Sequence, residues 1–574
     1  MKRFLHSECL LCFFCLVLMS FCAKAQVSVW DGKNSPWTKG SGTATDPFLI
    51  ENAQQLAYLA YRVNNGLDAS NGHVSSPTLH YKLMVDVDLN GSETFQWTPI
   101  GYYVSNDYYQ CFGGNFDGNG HTVSGLYINS TAEYVGFFGF TSGGSVKNLS
   151  VKGDKVATTG SCAGGIIGRS EGDNKIIVSN SYSAVAVSSN YYDECYSGGI
   201  IGYAEGTIII TNCYNSGNVF SGNCSGGIIG YGSGYSITIL NCRNTGFISS
   251  TDNYSESGGI IGCGRGSQFV IRSCCNYGDI SSEGSGGIIG GVDMNKAFTI
   301  TNCCNTGNVF STGTGCSGGI IAETFGNGNT TIINCYNTGN VSSTGGGGGG
   351  IMSRCGYENV IISNCYNTGN ISSGCSGGIV ASSLGNITIS NCYNTGNLSS
   401  NSSSGSLGGI IGGYSGYHLE YKSVNNCHYL STCGGSNIYG GFPKTATDMR
   451  NLKFVDTLNQ YLDTIAWKAD YNKPINNGYP ILKWQEATGI TGIGEGKVTP
   501  SLSLYPNPTE GNVTVSGTTF NHLQLFDMNG KLIETFDADG ESFVIDLSRY
   551  ASSIYVIRAW NGTHIVGIGK VMKQ

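Results

Sequence analysis

Histidine is absent from the whole middle of this 574-residue chain, with none between His121 and His418. That stretch lacks the side chain most used for proton transfer near neutral pH and the commonest nitrogen ligand of zinc. Charge is sparse too: Asp, Glu, Lys and Arg make up 12% of residues and sum to a formal −8. Without a basic excess there is no electrostatic footprint for nucleic acid. Proline is held to 10 residues and 40% of the chain is hydrophobic, unlike disordered chains of low hydrophobicity and high net charge. Neither a G-x-x-x-x-G-K-[ST] phosphate loop nor an H-E-x-x-H motif occurs. Beyond the N-terminus no apolar run approaches the ~20 residues that a membrane helix needs. On these grounds no cofactor and no metal is expected.

The N-terminus carries Lys2-Arg3, an apolar stretch from Leu10 to Phe21, and Ala23-Lys24-Ala25. These are the n-region, h-region and A-x-A site of a signal peptide over residues 1–25, with cleavage between Ala25 and Gln26. Cys22 invites a lipoprotein reading, but the bulky Phe21 before it argues against lipidation. The mature chain is expected to be exported and soluble, with no transmembrane segment.

Glycine, by contrast, is abundant at 88 residues, and much of it is periodic. A Gly-Gly pair followed by two apolar residues recurs nine times, with first glycines at 164, 198, 226, 258, 286, 318, 349, 377 and 408. A fixed period of this size marks a solenoid whose units stack on their neighbours. The copy at 318–343 holds three short extended runs separated by Gly and Asn. The middle run alternates in most copies, as in Ser236–Ile239, Phe298–Thr301 and Ile387–Ser390, and period two with β-branched residues reads as strand. Asn-Thr-Gly-Asn reads as a turn tolerating positive φ. Three strands in ~30 residues fit one coil of a parallel β-helix, with coils about 4.8 Å apart and nine coils spanning roughly 40–45 Å. Propeller blades need about 40 residues and four strands each, which fits less well. The glycine pairs are read as sharp turns that let coils pack closely.

Four of 23 cysteines fall in the signal peptide, leaving 19. Eight share one register: Cys213, Cys242, Cys274, Cys303, Cys335, Cys365, Cys392 and Cys427. Cys162, Cys195, Cys224, Cys316 and Cys375 form a looser one ahead of the glycine pairs. Export makes disulfides possible, but the first register follows strand periodicity, so a buried thiol ladder is expected there. In Cys274-Cys275 and Cys303-Cys304 the two side chains point to opposite strand faces.

Catalysis on a β-helix would need carboxylates brought together. The repeat carboxylates, Glu171, Glu205, Glu256, Glu283, Asp293 and Glu323 among them, read as scattered, solvated turn residues that share no register. Asp86-Val87-Asp88-Leu89-Asn90-Gly91 opens like a calcium loop, but Trp97 stands where the bidentate Glu belongs. A strand ending in an Asn-Gly turn explains it. Tyr102, Tyr103, Tyr108 and Tyr109 cluster in sequence near Trp97, and Tyr191-Tyr192 lies in a repeat loop; packing at coil corners is the simpler reading beside ligand stacking.

The run Gly114–Val123, then Val135-Gly136-Phe137-Phe138-Gly139 and Val146–Val151, resembles the GLUG repeat, as do the later Gly-Gly-Ile-Ile-Gly and Asn-Cys-Tyr-Asn-Thr-Gly-Asn copies over roughly 110–430. The resemblance implies a surface module, found also in the non-catalytic part of immunoglobulin A proteases, and no reaction. The last segment holds Leu504-Tyr505-Pro506-Asn507-Pro508, Gly511, an Asn529-Gly530 hairpin and a basic end around Lys570. Read physically it is a small antiparallel β-sandwich. The order of its motifs resembles the type A C-terminal sorting domain of the type IX secretion system, which implies handling by that machinery, passage across the outer membrane, and release or anchoring at the cell surface.

The expected architecture is all-β. After the signal peptide come an N-terminal cap with the first GLUG-like coils (26–155), β-helix repeats (156–430), a closing segment (431–485), a linker (486–500) and the sorting domain (501–574). The expected role is a non-catalytic adhesin or binding module for host or matrix glycans or proteins. A polysaccharide lyase or glycosidase, or a structural spacer, is the alternative.

Overall fold

A computed structural model describes residues 27–486 and 502–573, apart from 69–75, 106–107, 173, 192–193, 267, 357, 403–404, 414–421, 438, 461, 471–474, 506–508, 527–531, 552 and 562–563. The signal-peptide reading, Ala25 and Gln26 included, lies outside these residues, as does most of the 486–500 linker. The chain divides after Gly489 into two compact units.

The first unit is a succession of short strands wound into a parallel β-solenoid. Its three faces are sheets of 21, 20 and 10 strands, and each strand pairs with its equivalent in the next coil, as Ile300 with Ile332 and Val309 with Val341. Two faces are broken within each coil. The copy at 317–343 runs Ser317–Gly318, Ile321–Gly326, Thr330–Ile333, Tyr336–Asn337 and Val341–Ser343, five strands where the sequence suggests three. The interruptions fall at the Gly-Asn loop 326–329 and at Thr338-Gly339. No proline lies between Pro99 and Pro443, so every residue in the repeats keeps a backbone N–H for the ladder.

Inward positions form columns. One begins with Tyr81 and Phe116, passes Val146 and Val178, and then repeats Ile at 210, 239, 271, 300, 332, 362 and 389. The eight expected ladder cysteines form a second column, all buried and unbonded. Each thiol lies near the carbonyl two residues back, Cys303 Sγ to Thr301 O at 3.4 Å, and the six from Cys242 to Cys392 also accept the N–H of the preceding coil's cysteine, as Cys335 Sγ does from Cys303 N at 3.4 Å. Ser181 takes the equivalent place one coil before Cys213 and makes the same bond to Ser179 O at 2.8 Å. The position therefore selects a small side chain with a donor, and burial holds the Cys274 and Cys303 thiols protonated.

The third column is polar. Asn215, Asn244, Asn276, Asn305, Asn337, Asn367 and Asn394 are fully buried. Each Nδ2 donates to the next Oδ1 at 2.7–2.8 Å and to the carbonyl of a glycine two residues on, as Asn305 to Gly307 O at 2.8 Å. These asparagines open the Asn-Thr-Gly-Asn segments at 305, 337, 367 and 394 and their variants at 215, 244 and 276, and none of the four residues takes positive φ there. The left-handed residue is the one before each ladder cysteine, such as Asn334 at φ 55 and Ser273 at φ 55. Asparagine tolerates that region because its short amide can bond locally, here from coil to coil along the surface, as Asn212 to Asn180 at 2.9 Å. The second glycine of each pair faces the ladder: a Cβ on Gly319 would lie 2.5 Å from Asn337 Cγ and 2.0 Å from Gly350 O.

Helix Ala53–Asn64, capped by Asn52, buries Leu56, Leu59 and Val63 in the solenoid core. The calcium-like segment is a strand end: Asp86 Oδ1 accepts the Thr122 N–H at 2.9 Å, and Asn90 turns the chain at φ 50. The closing segment covers a side of the solenoid. Trp467 meets Tyr393 and Tyr366 at 5.3 and 6.0 Å, and Trp484 donates to Asn334 O at 2.9 Å. The second unit is a five-stranded antiparallel sheet with two 15-residue strands, Asn512–Phe526 and Leu532–Asp546, whose mutual register shifts between Ser516 and Phe520. It closes over Val513, Phe520, Leu525, Ile545, Ile557 and Val571.

Two measurements test this interior. Asn305→Ala strands the Asn276 donor and the Asn337 acceptor, so urea unfolding is expected to show a loss of about 2–4 kcal/mol, against about 1 kcal/mol for Cys303→Ala. Alkylation should label almost no cysteine in the native protein and, after unfolding without reductant, the 15 thiols from Cys111 onward that are outside the two disulfides.

Candidate functional site

The Gly-Gly turn between the 10-stranded and 20-stranded faces folds the chain back so tightly that outward side chains from both faces meet in a corner. One row carries Tyr134, Cys162, Tyr196, Cys224, Glu256 and Gly284 in successive coils. The other carries Phe140, Arg169, Tyr203, Tyr231, Cys263, Gly291, Glu323 and Arg354.

The N-terminal half of this corner is full. Tyr196 stacks on Tyr231 at 4.5 Å, Tyr203 on Tyr231 at 5.1 Å, and Arg169 lies 4.3 Å from the Tyr203 ring centre while pairing with Glu171 at 2.7 Å and Glu205 at 3.5 Å. Tyr103 and Tyr109 pack here against Phe140. Trp97 does not join them; it is buried against Phe137 and Trp30. A Cys224–Cys263 disulfide crosses the corner, and a second, Cys275–Cys304, lies on the outer side of the thiol ladder. Cys224 comes from the looser register, in which the other four cysteines are free thiols. Cys263 shares no motif spacing with it, so the sequence carried no signal for the pair.

Past the disulfide, glycine at positions 284 and 291 replaces the larger side chains of both rows. The Glu256 carboxyl fills the space over Gly291, where a Cβ would lie 2.0 Å from Oε1. The strand neighbour of Gly291 is Glu323, which pairs with Arg354 at 3.1 Å. Arg265 and Asp293 flank the site as strand neighbours. Burial, then the Glu323 charge, raises the Glu256 pKa to about 8, with Arg265 opposing. A protonated carboxyl thus sits beside an ion-paired carboxylate, offering a donor and acceptors to a hydroxyl-bearing ligand. The Cys224 and Cys263 sulfurs and a Glu256 oxygen lie within 4.8 Å of one another, but the disulfide removes both thiolates as metal ligands.

Of the repeat carboxylates, Glu256 and Glu323 come near enough across the turn to interact, a proximity that no shared register marks. On the outer lip, Tyr254 is 87% exposed. Its φ of +63 is a strained value for a bulky residue, costing on the order of 1–3 kcal/mol. The Glu283 carboxylate accepts its N–H. Tyr191 is 45% exposed, and Tyr192 lies outside the described residues.

In the second unit Tyr505 pairs with Thr514 and Lys570 with Val556, while the Gly511 carbonyl accepts the Leu547 N–H at 3.0 Å. Pro506, Asn507, Pro508 and Gly530 lie outside the described residues.

Folding lifts Glu256 from 4.5 to about 8, so between those values the folded chain keeps a proton that the unfolded chain has lost. The associated stability is full below the lower value and is lost as pH rises through the upper one. Urea midpoints of the wild type are expected to fall over that window, and Glu256→Gln should flatten the decline.

Residues 503–574 match the family described as the secretion system C-terminal sorting domain, and residues 193–219 match the GLUG motif. A protein of Evansella cellulosilytica, provisionally named a Gly-rich membrane protein, is 30% identical over 185 residues, 31% of this chain and 19% of that protein. Halomucin of Haloquadratum walsbyi is 26% identical over 141 residues, 23% of this chain and 1% of halomucin. The chain thus spans less than a fifth of the length of either relative. A crystal structure from Bacteroides ovatus, provisionally named an immunoglobulin A1 protease, aligns with 78% of this chain and 95% of its own at 19% identity and a TM-score of 0.33. Among the described residues no helix is long and apolar enough to cross a membrane. The chain carries a type IX C-terminal sorting domain behind a β-solenoid that contains a GLUG motif, and its place is outside the cell or on the outer-membrane surface.

Proposed function

We propose that the exported solenoid is a non-catalytic adhesin whose corner and its aromatic lip hold host or matrix glycans or proteins. The observation that supports this most is the exposed, left-handed Tyr254 beside a corner that carries Glu256 and the Glu323–Arg354 pair. Its charges nearly balance, and its exposed ring offers a flat apolar face with little rotamer entropy to lose.

Glu256 favours one competing reading. A carboxyl that keeps its proton near neutral pH, next to a second carboxylate, is the arrangement a glycosidase uses as acid and base. The two readings part on one experiment. Full-length exported protein is incubated with a panel of polysaccharides and matrix proteins, scoring retention and released product. Retention without product is the expected result. Product that disappears in Glu256→Gln would sink the adhesin reading in favour of the enzyme, and neither retention nor product would leave a structural spacer. Export is checked separately: a chain lacking residues 503–574 is expected to stay inside the outer membrane on cell fractionation.

A further inference from the structure

We propose that Cys224, Glu256 and Cys263 form a site for a thiophilic divalent cation of the zinc type, closed while the Cys224–Cys263 disulfide stands and opened by a dithiol reductant. The inference does not depend on the adhesin reading.

Three ligand atoms meet here although no motif spacing joins the residues. Cys224 and Glu256 are register neighbours on the 10-stranded face, and Cys263 lies on strand Ile261–Arg265 of the 20-stranded face. The glycine turn brings both sulfurs and a Glu256 oxygen within 4.8 Å of one another. Cys224 and Cys263 are only 2% and 5% exposed, so bulk water competes weakly for an ion held there. Among the described residues no other three His, Cys, Asp or Glu side chains gather this closely. The Cys275–Cys304 pair, oxidised in the same way, has no such third ligand.

The carboxyl is kept near the sulfurs by a missing side chain. Glu256 belongs to the row that continues into Gly284, but its carboxyl crosses to the other row and lies over Gly291, the register partner of Cys263. A Cβ on Gly291 would stand 2.0 Å from Oε1 and 2.3 Å from Oε2. Gly291 does not take a left-handed φ, so what glycine supplies there is space.

The donor set selects the ion. Two thiolates and a carboxylate suit zinc in a tetrahedral shell, with water in the fourth position. Calcium and magnesium need shells of oxygen. Sulfurs bound to one zinc at about 2.3 Å stand roughly 3.8 Å apart. Side-chain rotation provides that separation while the Cα atoms stay 5.9 Å apart. In the opening step the dithiol is oxidised to its own disulfide, and the Cys224–Cys263 bond takes up two electrons and two protons to give two thiols. Zinc then displaces both thiol protons, and the proton of the Glu256 carboxyl, into solvent. The ligands carry one negative charge more than the ion neutralises. Arg265, two residues after Cys263 on its strand, already acts on the Glu256 carboxyl and offsets that charge.

The test is cobalt titration of full-length exported protein, reduced with dithiothreitol and freed of it without air. The thiolate-to-cobalt charge-transfer band reports ligation. Reduced protein should keep its circular dichroism and bind a single ion, displaced by Zn2+, whereas untreated protein should bind none. Cys224→Ser should abolish the two-thiolate band, and Cys275→Ser should leave it unchanged. Glu256→Gln should retain the band but bind about tenfold or more weakly, and Gly291→Ala, which removes no ligand, should lose about tenfold by displacing the carboxyl. When air is readmitted to the wild type, both disulfides should re-form; with Zn2+ present only Cys275–Cys304 should, as peptide mass mapping after alkylation in denaturant reads. Unfolding on reduction, no band in the reduced protein, an undiminished band in Cys224→Ser, or unchanged affinity in Glu256→Gln or Gly291→Ala would each overturn the site. So would equal zinc protection of both cysteine pairs, a result that needs no variant to fold.

Discussion

A buried amide must have partners for its donors and its acceptor, and this requirement governs the solenoid more than any apolar contact. The asparagine column from Asn215 to Asn394 meets it only if every coil repeats the same residue at the same height, because each Nδ2 needs the next Oδ1. The amide's second N–H needs the glycine carbonyl two residues on. Its bulk needs a glycine opposite, which is why a Cβ at Gly199 or Gly259 would collide with Asn215 or Asn276. Asparagine and the second glycine are therefore one device seen twice in each repeat. Where the amide gives way to Ser183 or Tyr429, the glycines opposite, Gly165 and Gly409, still meet the new side chain at close range.

The cysteines follow from the same geometry. Next to an amide rung, with a left-handed residue just before it, the inward position has room for a small side chain that can reach its own chain's carbonyl. Serine does this at 181 and cysteine does it in eight later coils. Burial keeps these thiols away from oxidants, so an exported chain can carry them unpaired. Among the described residues only the outward Cys275–Cys304 pair and the corner pair Cys224–Cys263 are oxidised.

Stacking also divides the surface into used and unused parts. A tyrosine repeated in adjacent coils seals its own faces, and the closing segment covers one such row at Tyr336, Tyr366 and Tyr393 with Trp484 and Trp467. Open chemistry is left where the repeat is broken. Glycine at 291 makes room for the Glu256 carboxyl at the corner, and the turn over 251–255 leaves Tyr254 exposed.

The sequence by itself determined the coil, the inward columns and the sorting tail. Strand alternation and coil length are local periodicities, and a thiol recurring in step with them can only stack. The tertiary structure alone decided which outward rows meet. Glu256 reaches Glu323, and Cys224 reaches Cys263, because a glycine turn folds two faces together, and no linear spacing marks that contact. It likewise gave the second asparagine of each motif a buried ladder in place of a positive-φ turn, since only the stacked neighbours supply the partners that make burying an amide affordable. The closing segment lies along the side of the coils because its tryptophans find an aromatic row that exists only once three coils are stacked.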